Sequence, residues 1–207
     1  MPHMPRRAPF FAVLVSGSTA LSGRTFTTDL VWDTPTAELV RLNEQKLRDM
    51  SLDDKVVRAM MSNPWYSLSV LTVFVASLEQ LQGVKGREEV ATLAASAATE
   101  DQARFIAESL QMLAHYHKTI TPVSAISGSG PVMARDPGGA VVVPAPVDYV
   151  AWTQRVAEFA RRPDLKAQRR GIWLTGEVSP RARRELTGLG WRVHEQVRWT
   201  TSEPAAR

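Results

Sequence analysis

The stretch IWLTGEVSPRARRELTGLGWRVHEQVRW, residues 172–199, decides the fold class. It opens with a short apolar run, passes through Ser179-Pro180 into a segment with small and apolar residues at helical spacing, and closes with an alternating run at 191–199. A serine followed by proline is typical of a helix start, and Gly190 is typical of a helix end. We therefore predict strand, helix and strand, with the two strands parallel in a right-handed crossover unit.

The closing run alternates strictly between two kinds of residue. Side chains of a strand point to opposite faces in turn. One predicted face holds Trp191, Val193, Glu195, Val197 and Trp199, and the other holds Arg192, His194, Gln196 and Arg198. Inner strands of a parallel sheet covered on both faces are apolar on both sides. The pattern therefore predicts a strand at a sheet edge or under an open face, with the tryptophans inward and the cations outward.

Upstream of this unit, turn residues divide the chain into short pieces. Asp136-Pro137-Gly138-Gly139 separates two short apolar runs, which predicts a β-hairpin of 131–135 with 140–143. Asp148 is a typical helix cap, and the spacing of Tyr149, Trp152, Val156 and Phe159 predicts that they form the buried face of the helix that follows it.

From residue 34 to 118 the spacing of apolar residues is helical. Thr34-Pro35 predicts the first helix start, and Thr99 with Gln102 three positions later is the pattern of a capping box. The segment 67–82 is apolar on most sides, so we expect a central buried helix, although its β-branched residues leave a strand open. About five helices are predicted, as in a helical bundle.

These elements define the predicted architecture. The fold class is α+β, with an N-terminal helical layer followed by a small mixed α/β part that contains a hairpin and a C-terminal βαβ unit. The predicted regions are an N-terminal strand and turn or signal-like segment, a helical region, a small α/β region and a flexible tail, at residues 1–33, 34–118, 119–199 and 200–207.

The N-terminal segment leaves two interpretations open. A short basic stretch, 1–7, precedes an apolar run, 8–15, and then Ser16-Gly17-Ser18-Thr19. This order fits a secretory signal, and it equally fits a buried strand that enters a turn. We favour a cytoplasmic protein over an exported or envelope-associated one. No transmembrane segment is predicted, because a spanning helix needs about 20 apolar residues.

Composition excludes some chemistry. The chain has no cysteine, which removes disulfides, thiolate catalysis and sulfur-ligated zinc. The formal net charge is +4, but residues 151–207 hold 12 Lys and Arg against 6 Asp and Glu, a net charge of +6. This asymmetry suits an anionic partner for the C-terminal part.

No catalytic constellation emerges from the motifs. The chain contains neither a G-x-S-x-G elbow nor a phosphate-binding G-x-x-x-x-G-K-[ST] loop. His115 and His117 would project about 200° apart around a helix and do not share a metal ion easily. We predict no catalytic residue, metal or cofactor, and keep as an alternative a small enzyme with its site at the Ser/Gly-rich loops around Ser16 or Ser127.

The cationic residues of the C-terminal part are the candidate binding residues. We expect Arg181, Arg184, Arg192, His194 and Arg198 to contact an anionic partner. Trp173 or Trp199 would be available for stacking, and phosphate contact with base stacking is how single-strand binders work. The predicted function is therefore a non-enzymatic interaction or accessory protein that binds an acidic protein or a polyanion, nucleic acid being one such polyanion.

Overall fold

The computed structural model describes residues 34–198. Within this range the chain forms seven α-helices and seven strands, and the first five helices precede all the strands. The predicted α+β class and the order of its parts are confirmed. The predictions for residues 1–33, including Ser16 and the signal-like segment, and those for Trp199 and the 200–207 tail lie outside the described residues.

The helical layer follows the predicted starts and stops. Thr99 Oγ1 accepts a hydrogen bond from Gln102 N at 3.2 Å, and Gln102 Oε1 accepts one from Ala98 N at 2.8 Å. This is the predicted capping box, closed one residue further back than the usual pattern. The five helices are α1 (Thr36–Asp49), α2 (Asp54–Met61), α3 (Leu68–Gln80), α4 (Arg87–Ala95) and α5 (Glu100–Thr119).

The α3 helix is the centre of this layer, and the alternative of a strand at 67–82 is excluded. Ser67 caps its start by accepting a hydrogen bond from Val70 N. Phe74, Val75 and Leu78 are fully buried, and α3 packs between α1 and α5. A 13-residue helix with apolar residues on most sides needs neighbours on both sides, which α1 and α5 provide.

A mixed five-stranded sheet follows the helices. Its strand order is β1-β2-β3-β5-β7, with antiparallel pairing from β1 to β3 and parallel pairing from β3 to β7. The predicted hairpin is confirmed, because β2 and β3 flank the turn in which Asp136 Oδ1 accepts a hydrogen bond from Ala140 N at 2.8 Å. The strands are β1 (Ala125–Ser127), β2 (Met133–Arg135), β3 (Val141–Ala145), β5 (Arg170–Leu174) and β7 (Arg192–His194).

Two crossover helices and a small second sheet complete the C-terminal part. Helix α6 (Gln154–Ala160) connects β3 to β5, and α7 (Pro180–Gly188) connects β5 to β7. Strands β4 (Tyr149–Val150) and β6 (Glu177–Val178) pair in parallel beside them. The predicted parallel strand-helix-strand unit is therefore present, and β7 is an edge strand as predicted.

The parallel strands separate the helices into two layers. Both crossovers step in the same direction across the sheet, so right-handed connections place α6 and α7 on one face. On that side Trp191 is buried, and its ring stacks on Phe159 of α6 at 5.9 Å. Helix α5 covers the other face, where the Tyr116 ring meets Trp173 edge-on at 5.3 Å. Side chains of the helical layer and of the sheet form one continuous hydrophobic core.

The last strand is shorter than predicted. Regular pairing of β7 ends at His194, and Gln196 has a φ of 51°, in the left-handed region. The Glu195 side chain accepts a hydrogen bond from Val178 N at 2.7 Å, and Gln196 N donates to Gly176 O at 3.0 Å. These contacts bend the chain over the β5–β6 connection, so the two-residue alternation of the sequence does not continue as a strand to residue 198.

Candidate functional site

Four of the five predicted binding residues are arginines at the surface. Arg181, Arg184, Arg192 and Arg198 are exposed, and within residues 34–198 no carboxylate lies at ion-pair distance from any of them. An arginine without a protein partner keeps its five N–H donors for water or for a ligand.

The neighbouring arginines of the same region are engaged within the fold. Arg183 forms an ion pair with Glu195, and Arg169 pairs with Asp136 at 3.2 Å. Arg170 donates to the Leu189 carbonyl oxygen, and its guanidinium carbon lies 5.0 Å from the centre of the Trp191 ring. The arginines of the C-terminal part are thus of two kinds. Some are held by contacts within the fold, and others are exposed at the surface.

The surface cations occupy two sides of the sheet. Arg192 and His194 belong to the face that α5 covers in part, since the His194 ring lies against Trp173. Arg181 and Arg184 lie on α7, whose buried Ala182 and Leu186 turn toward the opposite face. The structure therefore brings Arg192 and His194 together and places the α7 arginines apart from them. Arg198 follows the bend at Gln196.

An aromatic stack runs across the sheet to its edge. In the parallel pairing of β5 and β7, Trp173 is the register partner of His194. Their rings are stacked in nearly parallel planes, with centroids 4.1 Å apart and an interplanar angle of 15°. Tyr116 of α5 closes the inner end of the stack, edge-on to Trp173 at 78°. His194 is therefore the outermost ring of a three-ring ladder at the edge strand.

Gly171 makes room for this stack. It is the register partner of Arg192, and a Cβ added to it would lie 3.1 Å from Trp173 Nε1 and 3.6 Å from His194 Cδ2. The indole therefore lies over the glycine, in the space that a side chain would fill. We call Gly171, Trp173, Arg192 and His194 the β5–β7 platform.

The protonation state of the platform follows from its surroundings. Partial burial lowers the pKa of His194, and the positive charge of Arg192 lowers it further. The imidazole is therefore neutral near pH 7, and its ring presents an uncharged aromatic face beside a permanently charged guanidinium. Such a surface combines stacking with anion attraction.

Sequence reasoning identified three of the platform residues and missed Gly171 and the buried Tyr116 behind it. The alternation pattern marked Arg192 and His194, and Trp173 was noted for stacking. Only the strand register shows that Gly171 lies beside Arg192 and Trp173 beside His194. Register depends on pairing between residues about 20 apart, and no local pattern encodes it.

The second loop considered for catalysis is packed against a helix. Ser127 Oγ donates to Glu89 Oε1 of α4 at 2.9 Å and lies 3.1 Å from Ser129 Oγ. A Cβ at Gly128 would lie 2.9 Å from the Glu89 carbonyl oxygen, so the glycine allows close contact with the helix. Among residues 34–198 no histidine forms a hydrogen bond with Ser127, and a nucleophilic triad requires an oriented imidazole at the serine.

One further carboxyl group has a strongly shifted pKa. Burial raises the pKa of Glu108 on α5 to about 7, Arg104 one turn earlier opposes this, and the charge of Asp148 adds to it. Within the described residues no three His, Asp or Glu side chains are grouped so that they could hold a metal ion. Glu108 is therefore a carboxyl group at the boundary of the core that titrates near pH 7.

Comparison of the chain with protein-family models, with curated proteins and with solved structures finds no match. None of the helices between residues 34 and 198 has the length and hydropathy needed to cross a membrane. The geometry of the platform and the charges around it are therefore the features that indicate a function.

Proposed function

We propose that the chain is a non-enzymatic interaction protein whose C-terminal α/β part binds an anionic partner at the edge of its sheet. The observation that supports the proposal most directly is that Arg192 takes part in no ion pair within the described residues. This arginine is exposed on the edge strand and has no carboxylate partner within residues 34–198, whereas Arg169 and Arg183 nearby are both paired. Arginine is the side chain best suited to two-point contact with carboxylate or phosphate.

The surrounding charges favour the same partner. The segment 151–207 carries a net charge of +6, so an anion approaching the C-terminal part meets an attractive field. Arg198 lies exposed a few residues beyond the platform and adds a second guanidinium that has no carboxylate partner within residues 34–198. On the opposite face Arg181 and Arg184 contribute to the field without sharing the platform.

Charge reversal tests this proposal with a matched control. The double variant Arg192→Glu/Arg198→Glu is compared with Arg41→Glu/Arg58→Glu, in which two exposed arginines of α1 and α2 are reversed with the same change in net charge. Binding of labelled heparin and labelled polyglutamate is measured by fluorescence anisotropy at several salt concentrations. We expect at least 10-fold weaker binding for the first variant and less than 3-fold for the second.

Two results would contradict the proposal. Equal losses in both variants would show that only the overall charge matters and that the platform has no special role. Absence of binding by the wild-type protein even at low salt would remove the anionic partner altogether. A third double variant, Arg181→Glu/Arg184→Glu, maps the opposite face, and a loss limited to this variant would move the site to α7.

A further inference from the structure

The outer face of the His194 ring is the open end of the aromatic ladder. One face of the imidazole lies on Trp173 at 4.1 Å, and among the strands between residues 34 and 198 β7 is the last of the sheet. In the part of the chain that the structure describes, no ring or guanidinium packs on the other face of His194. Because neighbouring strands are about 4.8 Å apart, a planar ligand group placed beyond β7 would continue the ladder at stacking distance.

Arg192 lies where a charge linked to such a planar group would fall. It precedes His194 by two residues on the same face of β7, which corresponds to about 6–7 Å along a strand. Its neighbour in β5 is Gly171, which has no side chain, and the indole of Trp173 lies over that glycine. Because Arg192 is exposed to solvent, a phosphate attached to the stacked ring would lie within reach of its guanidinium.

This pairing of a stacking ring and a cation selects among anionic partners. An acidic peptide would use Arg192 and leave the ring face of His194 unused. In a duplex the bases are already stacked on each other, whereas the bases of a single strand are free to stack on a protein ring. The platform residues include no amide or carboxylate side chain that would read the hydrogen-bonding edge of a base.

We infer that the β5–β7 platform binds single-stranded nucleic acid, with a base stacked on the outer face of His194 and a phosphate at Arg192. The inference rests on the proposed function and adds the chemical class of the partner. It also implies weak sequence preference, because stacking accepts every base.

The test compares two strands that differ only in their bases, and sets them against two other polyanions. Full-length protein is titrated into labelled (dT)12, into an abasic strand with the same number of phosphates, into a DNA duplex of the same length and into polyglutamate. We expect (dT)12 to bind about 5- to 140-fold more tightly than the abasic strand, which is the range for stacking of one base. (dT)12 should also bind more tightly than polyglutamate. Trp173 fluorescence should change on binding, since the ligand lies one ring away from the indole.

Three variants separate the two contacts. His194→Ala should lose at least 5-fold for (dT)12 and change binding of the abasic strand by less than 2-fold. His194→Phe keeps an aromatic ring at the edge and should restore most of the affinity, and it covers the case in which His194→Ala does not fold. Arg192→Ala should weaken both strands to the same degree, whereas the control Arg58→Ala should weaken neither.

The outcomes distinguish this inference from the proposed function. Equal binding of (dT)12 and the abasic strand overturns base stacking and leaves anion binding at Arg192 intact. Tighter binding of polyglutamate, or of duplex DNA, identifies a different class of partner and also overturns the inference. If none of these ligands binds at low salt, both the inference and the proposed function fail.

Discussion

Trp191 donates a hydrogen bond from its indole Nε1 to the carbonyl oxygen of Ala160 at 3.1 Å. The bond joins the start of the edge strand to the end of α6, and both residues are buried. Because Phe159 also stacks on the indole, one side chain fixes the position of β7 relative to the crossover helix. The geometry of the platform, on the opposite face of β7, depends on these two contacts of Trp191.

Replacing Trp191 should therefore separate the contribution of its hydrogen bond from that of its volume. Trp191→Phe keeps a ring against Phe159 and leaves the Ala160 carbonyl without its donor, so we expect a loss of about 1 kcal/mol in the free energy of unfolding. Trp191→Ala creates a cavity as well and should cost about 3–5 kcal/mol. Urea denaturation followed by circular dichroism measures both, and equal losses would show that the volume of the ring contributes nothing beyond the hydrogen bond.

A buried polar pair in the helical layer makes a second prediction. Asn43 Nδ2 donates to Thr72 Oγ1 at 2.8 Å between α1 and α3, and Thr72 Oγ1 donates to Leu68 O at 2.8 Å. Asn43→Ala and Thr72→Val should each cost about 1–3 kcal/mol, because each leaves a buried group without its partner. The double variant should cost less than the sum by about 1 kcal/mol. Strict additivity in chemical denaturation would contradict this coupling.

The C-terminal fold could be read from the sequence because its signals are local. The hairpin turn, the Ser179-Pro180 helix start and the inward Trp191 each depend on residues close together in the chain, and the structure confirms all three. The capping box at Thr99 is of the same kind.

The segment after Asp148 shows why local signals fail elsewhere. Helical spacing predicted a helix with Tyr149 buried, but Tyr149 is 52% exposed and lies in β4, and α6 begins only after the cap at Thr153. The Asp148 carbonyl accepts a hydrogen bond from Glu177 N at 2.9 Å, which commits this segment to pairing with β6. A partner almost 30 residues away overrides the local preference. Long-range pairing also sets the register between β5 and β7 in the platform. The sequence therefore predicted the individual cations but not how they are arranged.

Gly176 marks a close approach that tolerates no side chain. A Cβ at this position would lie 1.9 Å from the Asp148 carbonyl oxygen, a backbone atom held by the β4–β6 pairing. Gly176→Ala should therefore destabilise the protein by about 1–3 kcal/mol through overpacking.

The matched control is Gly188, the last residue of α7, where an added Cβ meets nothing within 4 Å. Gly188→Ala should be neutral or stabilise by up to about 1 kcal/mol, because alanine favours the helix. Thermal unfolding of both variants, scanned by differential fluorimetry, distinguishes the two sites. A Gly176→Ala protein as stable as the wild type would show that the β4–β6 connection can shift to make room.

Glu108 gives a prediction for the dependence of stability on pH. Its pKa in the folded chain is about 7, raised from the ordinary value of 4.5 chiefly by burial. The protonated form is thus favoured by folding, so the contribution of Glu108 to stability is complete below pH 4.5 and is lost as pH rises through 7.

The isosteric variant Glu108→Gln is neutral at every pH and removes this loss. We expect its melting temperature to exceed that of the wild type by about 2–4 °C at pH 8, equivalent to ~1 kcal/mol for a chain of this size, and to match it at pH 5. A gain of equal size at both pH values would show that the effect is steric and that Glu108 does not titrate with folding.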